Sequence, residues 1–253
     1  MNAGVIAITL AAGCSFSPGA QLTGIPDGPP VVSSDGARDA GNDAKLLDAY
    51  VAPFCDSRDQ DLVACYEFEN NLTDGSSHHN DGTANATYGA GKVGNALVIN
   101  TTNGIDIADS SSFDVTDLTI EAWIYPTAIP LAGQRAGILD NDGQYGFFLH
   151  PNGDLICSAG GSVTAQAGIA ANAWTHVACT HTNNTVAIYV AGKLVNSAGA
   201  TALPTGSTSG ITLGGNNPPN GGSPLTGSLD QLRLFGTGRA PVDLCHDAGA
   251  PNC

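Results

Sequence analysis

The chain has 253 residues, with 23 Asp and Glu against 8 Lys and Arg and a formal charge of −15 at pH 7. So acidic a surface is repelled by nucleic acid and by anionic lipid headgroups, which excludes both as expected partners. The 33 Gly, 14 Pro and single Met exclude a mainly helical protein and point to a loop-rich all-β one. The length suits one sandwich of roughly two hundred residues plus a tail.

Residues 5–12, Val-Ile-Ala-Ile-Thr-Leu-Ala-Ala, form an apolar run of signal-peptide length, short of the ~20 residues that a membrane-spanning helix needs. The run Leu10-Ala11-Ala12-Gly13-Cys14-Ser15 resembles a bacterial lipoprotein signal, although no Lys or Arg precedes it and Ala11 stands where Leu is commoner. That resemblance implies a signal peptide over 1–13 and a lipidated Cys14. With Ser15 in place of Asp, it implies an exported protein anchored in the cell envelope at the outer membrane, touching the membrane through its lipid alone. Residues 14–53, with Pro18, Pro26, Pro29 and Pro30 among Gly, Ser, Asp and Ala, are expected to be a disordered spacer carrying a head of residues 54–253.

Within the head, strands are predicted over 62–68, 96–99 and 104–108, with a polar loop over 70–83. The central strand is predicted over 117–126. There Leu118, Ile120, Ala122 and Ile124 alternate with Thr119, Glu121, Trp123 and Tyr125, the period of a strand covered on both faces. Strands at 137–140 and 144–150 flank Asp142-Gly143, a hairpin signal, and others follow at 154–159, 174–181, 185–191, 211–213 and 228–235.

Apart from Cys14, six cysteines remain of the seven, an even number in an exported chain, which reads as three disulfides. Cys157 and Cys179 fall on consecutive predicted strands, taken to stand side by side, and are paired on that ground. Cys245 and Cys253 flank a short loop and pair locally, which leaves Cys55 with Cys65. Structural zinc is not expected, because no Cys-x-x-Cys pair or close Cys/His set is present.

Tyr66-Glu-Phe-Glu, Asp74-Gly-Ser, Asn80-Asp-Gly-Thr, Gly91-Lys-Val-Gly-Asn-Ala-Leu, Leu118-Thr-Ile-Glu-Ala-Trp-Ile, Trp174-Thr-His-Val-Ala, Ile188-Tyr-Val-Ala-Gly-Lys and Gly227-Ser-Leu-Asp-Gln-Leu-Arg-Leu-Phe occur in this order. Over roughly residues 60–247 the chain thereby resembles bacterial laminin G-like, concanavalin A-like jelly-roll domains. The resemblance implies a sandwich of two antiparallel sheets used for recognition of carbohydrate or of another protein, and a calcium ion near the start of the domain. By motif, the calcium candidates are Asp74, Asn80 and Asp230, with Glu69 as an outside candidate. The competing role for Asp74 and Asn80 is turn chemistry, in which the side chain bonds a nearby backbone N–H.

No catalytic residue is expected. Glu67 and Glu69, two residues apart, would share one face of an extended strand, but nothing supplies the burial that would make one of them unusually basic, and the Glu-x-Asp-x-x-Glu strand of laminarinase-type jelly rolls is absent. His78, His79, His176 and His181 read as solvated or strand-satisfied, Trp174 and Tyr189 as core. The loops 130–135 and 214–223 are better placed to meet a partner. The expected function is a non-catalytic binding module for carbohydrate or an envelope polymer. The alternatives are a protein-interaction or envelope-structural lipoprotein and, last, a glycoside hydrolase.

Overall fold

The computed structural model describes residues 53–99, 104–216 and 223–253, all within one unit, Tyr50–Cys253. The signal peptide, Cys14 and the spacer up to residue 52 lie outside the described residues.

Fourteen strands are described: β1 Leu62–Tyr66, β2 Thr87–Ala90, β3 Asn95–Ile99, β4 Ile105–Ile107, β5 Leu118–Pro126, β6 Ala136–Asn141, β7 Tyr145–Leu149, β8 Leu155–Ala159, β9 Ser162–Ala165, β10 Thr175–Thr182, β11 Thr185–Val190, β12 Lys193–Gly199, β13 Ile211–Leu213 and β14 Gly227–Phe235. One helix, α1, spans Pro241–Asp247. The larger sheet runs β12-β11-β10-β5-β14-β3-β2, with β1 also paired to β14, and the smaller runs β4-β13-β6-β7-β8-β9. Every pairing is antiparallel, as the all-β jelly-roll reading requires.

The core lies between the sheets. Leu118, Ile120, Ala122 and Ile124 of β5 enter it from the larger sheet, and Tyr145, Phe147 and Leu149 of β7 meet them from the smaller. The period-two pattern thus selects which face of each strand is dry. Cys157 of β8 and Cys179 of β10 are both fully buried in this core and bonded to each other. Their strands are not side by side, since β8 belongs to the smaller sheet and β10 to the larger, so the bridge staples one sheet to the other. The other disulfides are Cys55–Cys65, which ties the entry segment to β1, and Cys245–Cys253, which ties the C-terminal tail to α1.

Long β14 carries a bulge. Asp230 pairs with Trp123 and Arg233 with Glu121, three residues against two, and Gln231 takes a left-handed φ of 49° to absorb the extra residue. Core positions accordingly switch parity, from Leu229 before the bulge to Leu232 and Leu234 after it. The bulge leaves Asp230 and Arg233 together on the outer face of the larger sheet. Helix α1 begins with Pro241 and Asp243 in its first turn, where a missing N–H and a negative charge are both favourable. Its Leu244 packs on Ala178, Ala187 and Tyr189 of that same outer face.

Candidate functional site

Two adjoining grooves open on the smaller sheet and its rim. The larger, about 1040 Å³, is lined by the β5–β6 loop (Ile129, Pro130, Leu131 and Gln134), by Arg135 and by His150 at the end of β7. The second, about 500 Å³, crosses the outer face of the sheet and is lined by Arg135, Asp140, Asp142, Phe148, Ser158 and Ser162 among others. The loop 130–135 lines the larger groove, while the loop 214–223 is described only at its ends.

Arg135 belongs to both grooves. Its guanidinium lies 4.0 Å above the ring of Phe148 and donates a hydrogen bond to Asn216 Oδ1. Phe148 and Gly146 alternate on β7 with the core residues Phe147 and Leu149, so they face outward. A Cβ on Gly146 would come within 2.5 Å of the Phe148 ring and 2.8 Å of Asp140 Oδ1, so only glycine leaves the ring room to lie where the arginine covers it. His150 is half-buried, and its imidazole pKa is lowered by that burial and then by the Arg135 charge, against a raising pull from Asp154. Sequence reasoning had the loop but not the stack, because Arg135 and Phe148 meet only when β6 and β7 form their hairpin.

The three motif-derived calcium candidates fall into two separate clusters. Asp74 is buried and accepts four hydrogen bonds: from Cys65 N–H (2.8 Å) and Ser76 N–H (2.9 Å) on Oδ1, and from Ser76 Oγ–H (2.8 Å) and Asn80 N–H (2.8 Å) on Oδ2. Asn80 in turn donates to the Val63 carbonyl and the Ser112 hydroxyl, while Tyr66 donates to the Asn80 carbonyl at 2.7 Å. With hydrogens aimed at both its oxygens, this carboxylate does not fit a cation.

Asp230 is different. It is fully buried; its Oδ2 accepts from Val93 N–H at 2.9 Å while Oδ1 has no hydrogen bond within normal geometry among the described residues, and burial pushes its pKa up to about 6 against the lowering pull of the Val93, Lys92 and Gln231 N–H groups, with a smaller raising contribution from Glu69. Glu69 is held by the backbone N–H and side-chain amide of Asn95. The backbone is left-handed at Phe68 and Asn70 on either side of Glu69, as at Gln231 beside Asp230. Two neighbouring carboxylates, one with an orphaned buried oxygen, fit a calcium ion completed by backbone carbonyls. Among the described residues no group of three His, Cys, Asp or Glu converges, so side chains alone do not complete a site.

The turn at Phe68 also ends β1 at Tyr66, so Glu67 and Glu69 do not share a strand face. His176, 2 % exposed, lies 3.5 Å from Glu121, which Arg233 engages at 2.7 Å; Arg233 and Arg239 both reach Asp247 of α1. This buried network clasps the C-terminal helix to the sheet. Trp174 is not in the core; it lies half-buried against Tyr125, with ring centroids 5.3 Å apart.

A family model described as the concanavalin A-like lectin/glucanases superfamily matches residues 100–243. Among solved structures, domain 4 of AbnA, a GH43 extracellular arabinanase from Geobacillus stearothermophilus, seen in complex with arabinotriose, superposes with a TM-score of 0.61 at 24 % identity, over 74 % of this chain and 98 % of that one. The binding domain of Paraclostridial Mosquitocidal Protein 1 superposes with a TM-score of 0.60 at 14 % identity, over 74 % of this chain and about half (52 %) of that one. The receptor-binding domain of botulinum neurotoxin mosaic serotype C/D gives 0.58 at 9 % identity, over 75 % and 50 %. No curated protein matches the chain. The fold shared with these domains and a family match over more than half the sequence carry one conclusion: this chain belongs to the concanavalin A-like lectin/glucanases superfamily, as a laminin G-type member.

Proposed function

We propose that the chain is a non-catalytic binding module, held to the cell envelope by a lipid on Cys14, whose ligand is a carbohydrate or envelope polymer lying in the grooves that meet at Arg135. The observation that carries this reading is the Arg135–Phe148 stack, set among the hydroxyls of Ser158 and Ser162 on an open sheet face. An aromatic-backed planar donor flanked by hydroxyls suits the alternating apolar and hydroxylated faces of a sugar. A superfamily relative seen with arabinotriose supports the class of ligand.

Calcium, in this reading, is held by Glu69 and Asp230 with backbone carbonyls. These residues sit with the larger sheet and the groove with the smaller, so the ion acts on stability and not on the ligand. It would neutralise two carboxylates that otherwise repel each other.

Retention of the full chain on immobilised polysaccharides and oligosaccharide arrays tests the proposal. Ser158→Trp fills the groove whatever the ligand's charge and is expected to abolish retention; retention unchanged by it, or no glycan retained at all, rejects the groove as a sugar site. Fractionation of Cys14→Ser tests the anchor, which predicts release from the membrane fraction. A protein partner is the second reading. It is favoured by Leu131, 72 % exposed beside Ile129 and Pro130, and by the receptor-binding relatives, and it predicts that Leu131→Asp removes a co-purifying envelope protein while leaving glycan retention intact.

A further inference from the structure

Resting on the groove reading above, we infer that the preferred ligand is a carboxylate-bearing sugar, a hexuronate in an acidic polysaccharide, with its carboxylate received by Arg135. The other described arginines are each matched with an acid. Arg58 pairs with Asp56, Arg233 with Glu121 and Asp247, and Arg239 with Asp247. Arg135 has no carboxylate within ion-pair distance among the described residues, and of its five N–H donors one is spent on the Asn216 amide oxygen. Stacking on Phe148 fixes the plane of the guanidinium, so the remaining fork is presented to the groove with little rotamer freedom left to lose.

The second group at this spot is His150, whose imidazole and Arg135 oppose each other's charge. The larger groove joins Arg135 to His150 with no carboxylate in its lining, Asp140 and Asp142 belonging to the adjoining one, so its standing charge is the arginine's and is complementary to an anion. Gln134, Ser223 and Thr226 supply the uncharged donors and acceptors that sugar hydroxyls need. The net charge of −15 does not oppose this at contact range, because at physiological salt the screening length is about 8 Å and the ligand's carboxylate meets chiefly the groove's own charges.

The test is calorimetry of the full chain with trigalacturonate, with its neutral counterpart galactotriose, and with a sulfated trisaccharide. Trigalacturonate is expected to bind at least about tenfold tighter than galactotriose, the worth of one charge-assisted hydrogen-bonded contact. Arg135→Gln is expected to erase that preference while leaving the weaker neutral binding, and Arg135→Lys to restore only part of it, since a lysine keeps the charge and loses the fork. Equal binding of the acidic and neutral sugars, or a preference untouched by Arg135→Gln, overturns the inference and leaves the glycan module standing. Tighter binding of the sulfated sugar than of trigalacturonate overturns the carboxylate assignment. Failure of all three sugars, together with failure of Ser158→Trp to alter retention on any polysaccharide, sinks the groove reading itself.

Discussion

Asp74→Asn separates two roles for the loop that follows β1. The native carboxylate gathers four donors, three of them backbone or hydroxyl groups of buried residues. An asparagine offers one oxygen and one NH2 group. If the oxygen faces Cys65 and Ser76, the NH2 faces the Ser76 hydroxyl, which can rotate to accept, and the Asn80 N–H, which cannot. At least one donor loses its partner, at about 1–3 kcal/mol, and the other bonds lose their charge assistance, so the expected cost is about 3 kcal/mol. For a domain of this size that lowers the thermal midpoint by roughly 6–12 °C. Because the network needs no metal, the same deficit is expected in calcium and in chelator, measured by thermal unfolding of the full chain. A loss under about 1 kcal/mol, or a deficit seen in calcium that vanishes in chelator, would refute the reasoning and return Asp74 to the metal ligands.

Calcium is expected to raise the midpoint of the native chain by mass action, and Asp230→Asn to remove that rise, whereas Asp74→Asn should keep it; a rise retained in Asp230→Asn would contradict the Glu69–Asp230 site. Replacing Cys157 and Cys179 together by alanine releases a loop of sequence separation 22 and is expected to cost about 3 kcal/mol by denaturant unfolding; a change below 1 kcal/mol would mean that the two sheets need no staple. Gly146→Ala forces the Phe148 ring aside at a cost of about 1–3 kcal/mol and is expected to weaken sugar binding without unfolding the chain, so undiminished affinity would detach the stack from function. With its pKa lowered from 6.5, His150 is neutral at pH 7. A uronate in the groove favours its charged form, so affinity should rise as the pH falls below that value, with Arg135 and Asp154 as the charged neighbours. Without ligand the sign reverses, His150's contribution to stability being present above pH 6.5 and lost as the pH falls. Calorimetry at pH 7 and 5 with trigalacturonate reads the first effect, and a flat profile argues against His150 facing the ligand.

The order of residues along the chain determined the class of fold, the central place of β5, which of its faces is dry, and most interior strands, because burial on one or both faces writes a period of two directly into the sequence. The strands it showed poorly are all at sheet edges: no strand was expected at β2, β9 or β12, since an edge strand with exposed positions carries little apolar signal. Helix α1 is only seven residues long, too short to show a period of its own. The bulge, by contrast, was written in the sequence, for Leu229, Leu232 and Leu234 break the alternation at Asp230, although only the structure says what that break positions.

Tertiary structure alone decided the sites. The turn at Phe68 takes Glu67 and Glu69 off a common face and brings Glu69 beside Asp230, while Asp74 and Asn80 close on each other instead. The cysteine pair that looked lateral crosses the core, and Arg135 meets Phe148 only across the β6–β7 hairpin. Local patterning encodes which side of a strand avoids water; it does not encode which distant loop is carried to the same place, because that depends on how turns and sheet order fold the chain back on itself.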